Sequence, residues 1–258
     1  MVQLVVEAER RVYADRSVYL GDPDFYDVPQ KQLLASNYQK NRMSDFVWNH
    51  ASNSLSVREG KIAGKESEET THYSIVDRYG NSVSVTTTLN GSYGSKTAVK
   101  GAGFLLNNEM DDFSVKPGSP NMYGLVGGEA NSIEPGKRML SSMTPTIIEK
   151  NGKLFMVVGT PGGSTIITSV FQTILNVIEF EKPIQEAVTV PRFHHQWLPD
   201  EVFLEADALS DKTKNILIQK GYKLTLRGPI GRVDAILKTK LGYQGGADPR
   251  GDDTSSGY

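Results

Sequence analysis

Cysteine is missing from all 258 residues, which excludes disulfide staples, thiolate metal sites and a cysteine nucleophile. No apolar run approaches the roughly 20 residues that a membrane-spanning helix needs. No signal-peptide pattern stands at Met1. The opening Val2–Gln3–Leu4–Val5–Val6 already sits inside a helical pattern, so the chain reads as a cut-out from something longer. There is no Lys/Arg run of the kind that tracks phosphates, and the formal net charge of -2 argues against a nucleic-acid partner. A Gly-x-Ser-x-Gly elbow and a His-Glu-x-x-His zinc helix are both missing. Gly159–Thr160–Pro161–Gly162–Gly163–Ser164 has the glycines of a phosphate loop without its lysine. The four histidines, His50, His72, His194 and His195, fall in no metal-binding spacing. The adjacent pair His194–His195 points to opposite sides of any regular element, which favours a structural role.

What is present suits an ordinary folded protein: 38% apolar and 22% charged residues, in a chain long enough to bury a sizeable core. Apolar groups at helical spacing predict a helix over 2–16, ended by Gly21–Asp22–Pro23–Asp24. A second helix of mixed polarity is expected over 30–50, and residues 52–69 have the composition of an exposed linker. At Thr70 the pattern changes. His72–Asp77 and Ser82–Thr88, rich in β-branched residues, flank the turn Arg78–Tyr79–Gly80–Asn81 and predict a hairpin. A second hairpin, Thr144–Ile148 with Leu154–Val158, is joined through Asn151–Gly152, a type I′ signal. Helices are expected over 164–180, 183–190 and 211–220, and closing strands over 222–227, 232–238 and 241–245. Antiparallel hairpins with packed helices give an α+β architecture.

Amide hydrolysis needs a nucleophile, a base and donors for an oxyanion. With cysteine and the serine elbow gone, threonine remains. Thr70 stands where the polar linker becomes a strand. A cut between Glu69 and Thr70 would give Thr70 a free α-amine, of pKa about 7.7–8, beside its own hydroxyl. Nucleophile and base would then share one residue. The same hydroxyl could make the cut by attacking the carbonyl of Glu69. A threonine opening a strand is, taken alone, usually just a strand residue.

The order of blocks along the chain is specific where any one of them is not. Thr70–Thr71–His72–Tyr73–Ser74 is accompanied by Tyr13–Ala14–Asp15–Arg16, Tyr19–Leu20–Gly21–Asp22–Pro23–Asp24, Thr88–Leu89–Asn90 and Leu106–Asn107–Asn108–Glu109–Met110–Asp111–Asp112–Phe113. Tyr123–Gly124–Leu125, Lys137–Arg138, Leu140–Ser141–Ser142–Met143–Thr144–Pro145, Gly159–Gly163 and Pro191–Trp197 continue the series. In this the chain resembles the gamma-glutamyltransferases over almost its whole length. The resemblance implies an N-terminal nucleophile hydrolase, an αββα sandwich matured by autoproteolysis and incomplete here because most of the large subunit is absent. Residues 1–69 would be the tail of the large subunit with its linker, and 70–258 the small, catalytic subunit.

It also implies roles. Thr70 is the nucleophile and Glu69–Thr70 the cleavage site, with Thr88 bonding the Thr70 side of the site. Asn90, Glu109 and Asp112 hold the substrate α-ammonium, which favours carboxylates and an amide oxygen. Ser141 and Ser142 bind the α-carboxylate, Gly162 and Gly163 form the oxyanion hole, and Tyr123 gates the pocket from a lid loop at 117–123. Without the resemblance, Glu109 and Asp112 would read as a solvated acidic turn, Ser141–Ser142 as polar surface, and Gly162–Gly163 as a tight turn before a helix. The implied reaction passes a gamma-glutamyl group from glutathione-like amides to water or to an amino-acid or peptide acceptor. It calls for no metal and no cofactor, since the amine supplies the base. The implied partners are those small molecules and the missing part of the large subunit, and the implied location is periplasmic or secreted. The isolated chain is expected to have little activity and to be prone to self-association through exposed apolar surface. Two other readings stand beside this one: a related acylase (cephalosporin acylase or poly-gamma-glutamate depolymerase), and a non-catalytic binding module.

Overall fold

A computed structural model describes residues 1–58 and 70–257 of the chain. The chain forms two compact units, each assembled from discontinuous segments. The first draws on Met1–Glu66, Glu109–Ser141 and His194–Leu226, and the second on Ser67–Asn108, Ser142–Phe193 and Arg227–Tyr258.

The first unit is organised by helix α1, Val2–Tyr19, which buries charged as well as apolar side chains. Val5, Val6, Tyr13 and Ala14 are buried beside Glu7, Glu9, Arg10 and Arg11. The charges are tolerated because they are paired. Glu7 accepts hydrogen bonds from Arg11 Nη1 (2.6 Å), the Ser52 N–H (3.1 Å) and the Tyr222 hydroxyl (2.7 Å). Burial alone would raise the Glu7 pKa, but these donors and the Arg10 charge outweigh it and bring it to about 2. Arg10 is likewise bonded to Ser54 and Asp200. The expected second helix is two short ones, α2 (Gln30–Leu33) and α3 (Ser36–Arg42), with Ala35 extended between them. Neither buries a residue, and without an apolar stripe against a core a long helix has nothing to hold it.

In the second unit, β1 (Thr71–Val76) and β2 (Ser82–Thr87) form the expected antiparallel hairpin. Strands β3 (Thr146–Lys150) and β4 (Lys153–Gly159) form the other, with positive φ at both Asn151 (56°) and Gly152 (69°), as a type I′ turn requires. Helix α4 is Thr165–Ile178 and α5 is Ile184–Thr189. The short strand β5 (Phe193–His194) is followed along the chain by β6 (Val202–Leu204), α6 (Asp211–Gln219) and β7 (Leu224–Leu226), which belong to the first unit. The strands β8 (Asp234–Thr239) and β9 (Gly242–Gly246) close the chain. In the first unit β6 and β7 pair in parallel with α6 as the crossover, a pairing that hairpin patterning alone does not reveal.

Strands β3, β4, β8 and β9 make one sheet in that order, with neighbouring strands antiparallel. Met156 and Val158 of β4, Ala235 and Leu237 of β8, and Ile166, Val170, Val177 and Ile184 of the helices form one apolar cluster. Each large side chain removed from water there contributes about 1.5–3 kcal/mol. Strand alternation sends Val157 and Gly159 to the opposite face, where the β1–β2 hairpin packs. The second unit is thus a helix layer, a sheet and a hairpin layer. The α+β reading holds.

Candidate active site

Thr70 is half-buried at the mouth of β1. Its hydroxyl donates to Thr88 Oγ1 at 3.4 Å, and the Asn90 N–H donates to the same oxygen at 2.8 Å. These residues meet because Thr71 pairs with Thr87 at the open end of the hairpin, so the residues just outside the strands face each other. An open hollow of about 260 Å³ adjoins them, lined by Thr70, Thr71, Thr87, Thr88, Leu89, Gly91, Ser92 and Tyr93. Asn90 is buried at φ 73°, a left-handed conformation that asparagine tolerates. Its Nδ2 donates to the Asn108 carbonyl at 3.1 Å, while Asn108 Oδ1 accepts the Gly91 N–H at 2.9 Å. Glu69 lies outside the described residues.

Gly162 and Gly163, in the same unit, have φ 138° and 52° and lead directly into α4. A Cβ on Gly162 would stand 2.7 Å from Thr165 Oγ1, so both conformation and space call for glycine. The Gly162 carbonyl is held by the Thr165 N–H (2.9 Å) and hydroxyl (2.7 Å). The residues before them are pinned too: Thr160 Oγ1 donates to the Pro161 carbonyl (2.6 Å) and accepts the Arg232 N–H (2.7 Å). A helix start with the neighbouring backbone N–H groups favours negative charge. Ser142 is half-buried in this unit.

The first unit carries Glu109, Asp112, Tyr123 and half-buried Ser141. Glu109–Asp112 is one turn of 3-10 helix, which gathers three carboxylates. Burial raises the Asp112 pKa to about 7; Glu109 and Asp111 push it the same way, and Arg16 opposes them. Burial raises Glu109 as well. Such carboxylates are costly to charge unless a cation arrives, and an ammonium is such a cation. Tyr123 is buried. Its loop is tied by Asn121, whose Oδ1 accepts the N–H groups of Tyr123 (2.9 Å) and Leu125 (3.1 Å).

Sequence reasoning assigns no role to two side chains in this region. Arg16, buried on α1, is the cation whose charge opposes the rise at Asp112. Asn131 donates to the Asp112 carbonyl (2.7 Å) and accepts the Leu140 N–H (2.9 Å), while its own carbonyl accepts the Ser114 N–H (2.8 Å). Nothing in the pattern of the sequence marks a lone asparagine as such a staple. His194 and His195 are fully buried in the first unit. His194 Nε2 lies 2.8 Å from Gln196 Oε1. His195 Nδ1 accepts the Trp197 N–H (3.1 Å), and burial brings its pKa down to about 4, so the ring is neutral. No set of metal-ligating side chains occurs among the described residues.

Comparison with known proteins gives a single family: the model for gamma-glutamyltranspeptidase matches residues 1–258. A glutathione hydrolase proenzyme of Escherichia coli (strain K12) is 49% identical over 259 residues, covering all of this chain and 44% of that protein. This chain therefore spans less than half the length of that relative. Among solved structures, a point mutant of Helicobacter pylori gamma-glutamyltranspeptidase superimposes with a TM-score of 0.68 at 56% identity, over 70% of this chain and 100% of that one. A cephalosporin acylase from Bacillus halodurans, at 23% identity, shares the fold with a TM-score of 0.80 over all of this chain and 45% of that one.

Proposed function

The chain belongs to the gamma-glutamyltranspeptidase family, whose fold is that of the N-terminal nucleophile hydrolases, and from that premise we propose that it is part of an enzyme cleaving gamma-glutamyl amides such as glutathione, with Thr70 as nucleophile. One observation carries the reading. The Thr70 hydroxyl points to Thr88 Oγ1 beside an open hollow, where a freed α-amine would stand next to the hydroxyl it must deprotonate.

Maturation and turnover use the same atoms. In the precursor, Thr70 Oγ attacks the Glu69 carbonyl, the C–N bond breaks, and the Thr70 nitrogen leaves as an amine. Water then hydrolyses the ester and releases the Glu69 carboxyl. In turnover, the amine takes the hydroxyl proton as Oγ attacks the gamma-carbonyl. The oxyanion is met by the N–H groups of Gly162 and Gly163, and the departing amine receives the proton. The gamma-glutamyl ester passes to water or to the amine of an amino acid or peptide. Asn90, Glu109 and Asp112 hold the substrate ammonium, Ser141 and Ser142 its carboxylate, and Tyr123 borders the entrance from the loop at 117–123. A length agreement supports the cut. A Pseudomonas nitroreducens gamma-glutamyltranspeptidase contains a chain that 73% of this one matches almost in full, and the stretch from Thr70 to Tyr258 has that length.

The remaining portion of the large subunit would be the partner, and the site of action outside the cytoplasm. No helix among the described residues is long and apolar enough to cross a membrane. The chain alone is expected to turn over little substrate.

The test is the intact mass under denaturing conditions. Two species meeting between Glu69 and Thr70, and none in Thr70→Ala, is the expected result for a competent precursor. Covalent capture of Thr70 by an electrophilic glutamine analogue would follow. Labelling elsewhere, with Thr70 untouched, overturns the assignment. Asp112 adds a pH dependence: with its pKa near 7, the charged form that attracts ammonium is lost as pH falls through 7. KM for a gamma-glutamyl substrate should therefore rise below pH 7, and a KM flat from pH 8 to 6 would remove Asp112 from that role.

A further inference from the structure

One buried side chain in the catalytic unit has no part in the reaction just described. His72 lies two residues from Thr70 on the inward face of β1 and is 6% exposed. Its Nδ1 is 2.9 Å from Thr86 Oγ1, on the strand opposite, and its Nε2 is 3.0 Å from Ser74 Oγ. Hydroxyls donate or accept as needed, so both nitrogens of a neutral ring are satisfied in either tautomer. Burial lowers the pKa to about 4, which keeps the ring neutral at working pH.

The ring edge rests on Gly159. A Cβ at that position would stand 2.1 Å from Cε1, 2.4 Å from Nδ1 and 2.7 Å from Nε2 of His72. Gly159 is not among the residues with positive φ. It closes strand β4 and pairs with Asp234 in regular register. Nothing in its backbone conformation therefore calls for glycine; the imidazole does. The next four residues are Thr160, Pro161, Gly162 and Gly163. Ser84 adds a second tie across the layers, its hydroxyl donating to the Val158 carbonyl at 3.2 Å.

We infer that His72 and Gly159 form a spacer pair: the imidazole seated on a bare Cα sets how closely the hairpin end bearing Thr70 approaches the loop that offers the Gly162 and Gly163 N–H groups. His72 is a positioning residue, acting through β4 rather than on substrate. The functional meaning of the spacing rests on the assignment of Thr70 and Gly162–Gly163 above. A nucleophile misplaced by about 1 Å loses on the order of 100-fold in rate, so a rigid stop between the two strands has a use that general packing does not supply.

The experiment is a rescue cycle in the whole chain, read by amide resonances in ¹⁵N–¹H spectra and by urea midpoints. Gly159→Ala should lower the midpoint and shift the Gly162 and Gly163 resonances, because the new methyl pushes the ring away. His72→Ala should shift the same two resonances while leaving Gly80 and Asn81, at the far turn, in place. Combining the two should recover most of the midpoint lost by Gly159→Ala, the methyl now occupying the vacated space. If His72→Ala does not fold, His72→Ser, which removes the ring but keeps a small polar side chain, takes its place in the cycle. Gly159→Ala costing the same with and without the ring, or Gly162 and Gly163 resonances indifferent to His72, overturns the inference. Failure of the catalytic assignment looks different: Thr70→Ala without effect on cleavage or labelling, with the His72–Gly159 coupling intact.

Discussion

The two compact units fill their buried interiors with different proportions of hydrocarbon and paired charge. The second relies mainly on hydrocarbon: Met156, Val158, Ile166, Val170, Val233 and Ala235 meet in one apolar cluster, with the buried pair Arg192–Asp248 in the same unit. The first buries Glu7, Arg10, Arg11 and His195 and relies on pairing. Glu7 with Arg11, and Arg10 with Asp200, satisfy one another along α1. Apolar burial is insensitive to pH and forgiving of shape. A buried ion pair is neither, because removing one partner strands the other in a medium that cannot solvate it.

Glu7→Ala should therefore have the largest effect, about 3–5 kcal/mol, by leaving the Tyr222 hydroxyl and the Ser52 N–H without their acceptor and Arg11 with only its partly exposed partner Asp45 for an ion pair. Urea unfolding at pH 7 reads it. The loss should fade in acid: a carboxyl whose folded pKa is lowered to about 2 contributes stability above 4.5 and loses it as pH falls from 4.5 toward 2. Ile166→Ala, in the apolar unit, should cost about 2–5 kcal/mol and by nearly the same amount at pH 7 and pH 4. If the two penalties share one pH profile, the contrast between the units fails.

A smaller effect sharpens it from the other side. Asp234, in the second unit, is raised to about 7, chiefly by burial and further by Asp253 and Asp248. Between 3.8 and 7 the folded state holds a proton that the unfolded chain has released, so its ionisation destabilises as pH rises. Asp234→Asn should stabilise by about 1 kcal/mol at pH 8, a figure discounted for partial exposure, and by nothing at pH 3.5. Smallest is the exposed pair Lys182–Glu186, where Lys182→Ala should cost less than about 0.5 kcal/mol. A larger loss would mean that surface pairs matter here as buried ones do.

Legibility in the sequence followed the same division. Period and turn chemistry locate both hairpins, α4 and the last two strands, β8 and β9, since the second unit uses alternation and an apolar helix. The first unit was harder. Its helix α1 reads correctly from spacing, yet that reading gives no hint that Arg10 and Arg11 face inward, because a charge pairs inside only if a distant partner such as Asp200 is brought to it. The parallel pairing of β6 with β7 escapes for the same reason, being settled by tertiary packing, whereas the break at Ala35 reflects helices that bury no residue at all. Among candidate site residues, the Thr70–Thr88 contact follows from hairpin register alone. Arg16 and Asn131 do not, as their partners lie about 96 and 19 residues away.

The first unit contains residues from before and after position 70, and their bonds interlock. Arg10 holds Asp200, Glu7 holds Tyr222, and Trp197 Nε1 donates to the Ser54 carbonyl at 2.8 Å. If the chain is cut as proposed, these bonds are the ones expected to hold the two pieces together. A nick between 58 and 70 is then expected to free no fragment, and gel filtration of the cut chain at the elution volume of the intact one checks it; a separated fragment would refute it. Supplied as separate polypeptides, residues 1–58 and 70–258 should complement one another, with the paired charges of α1 as the recognition code that brings the halves together.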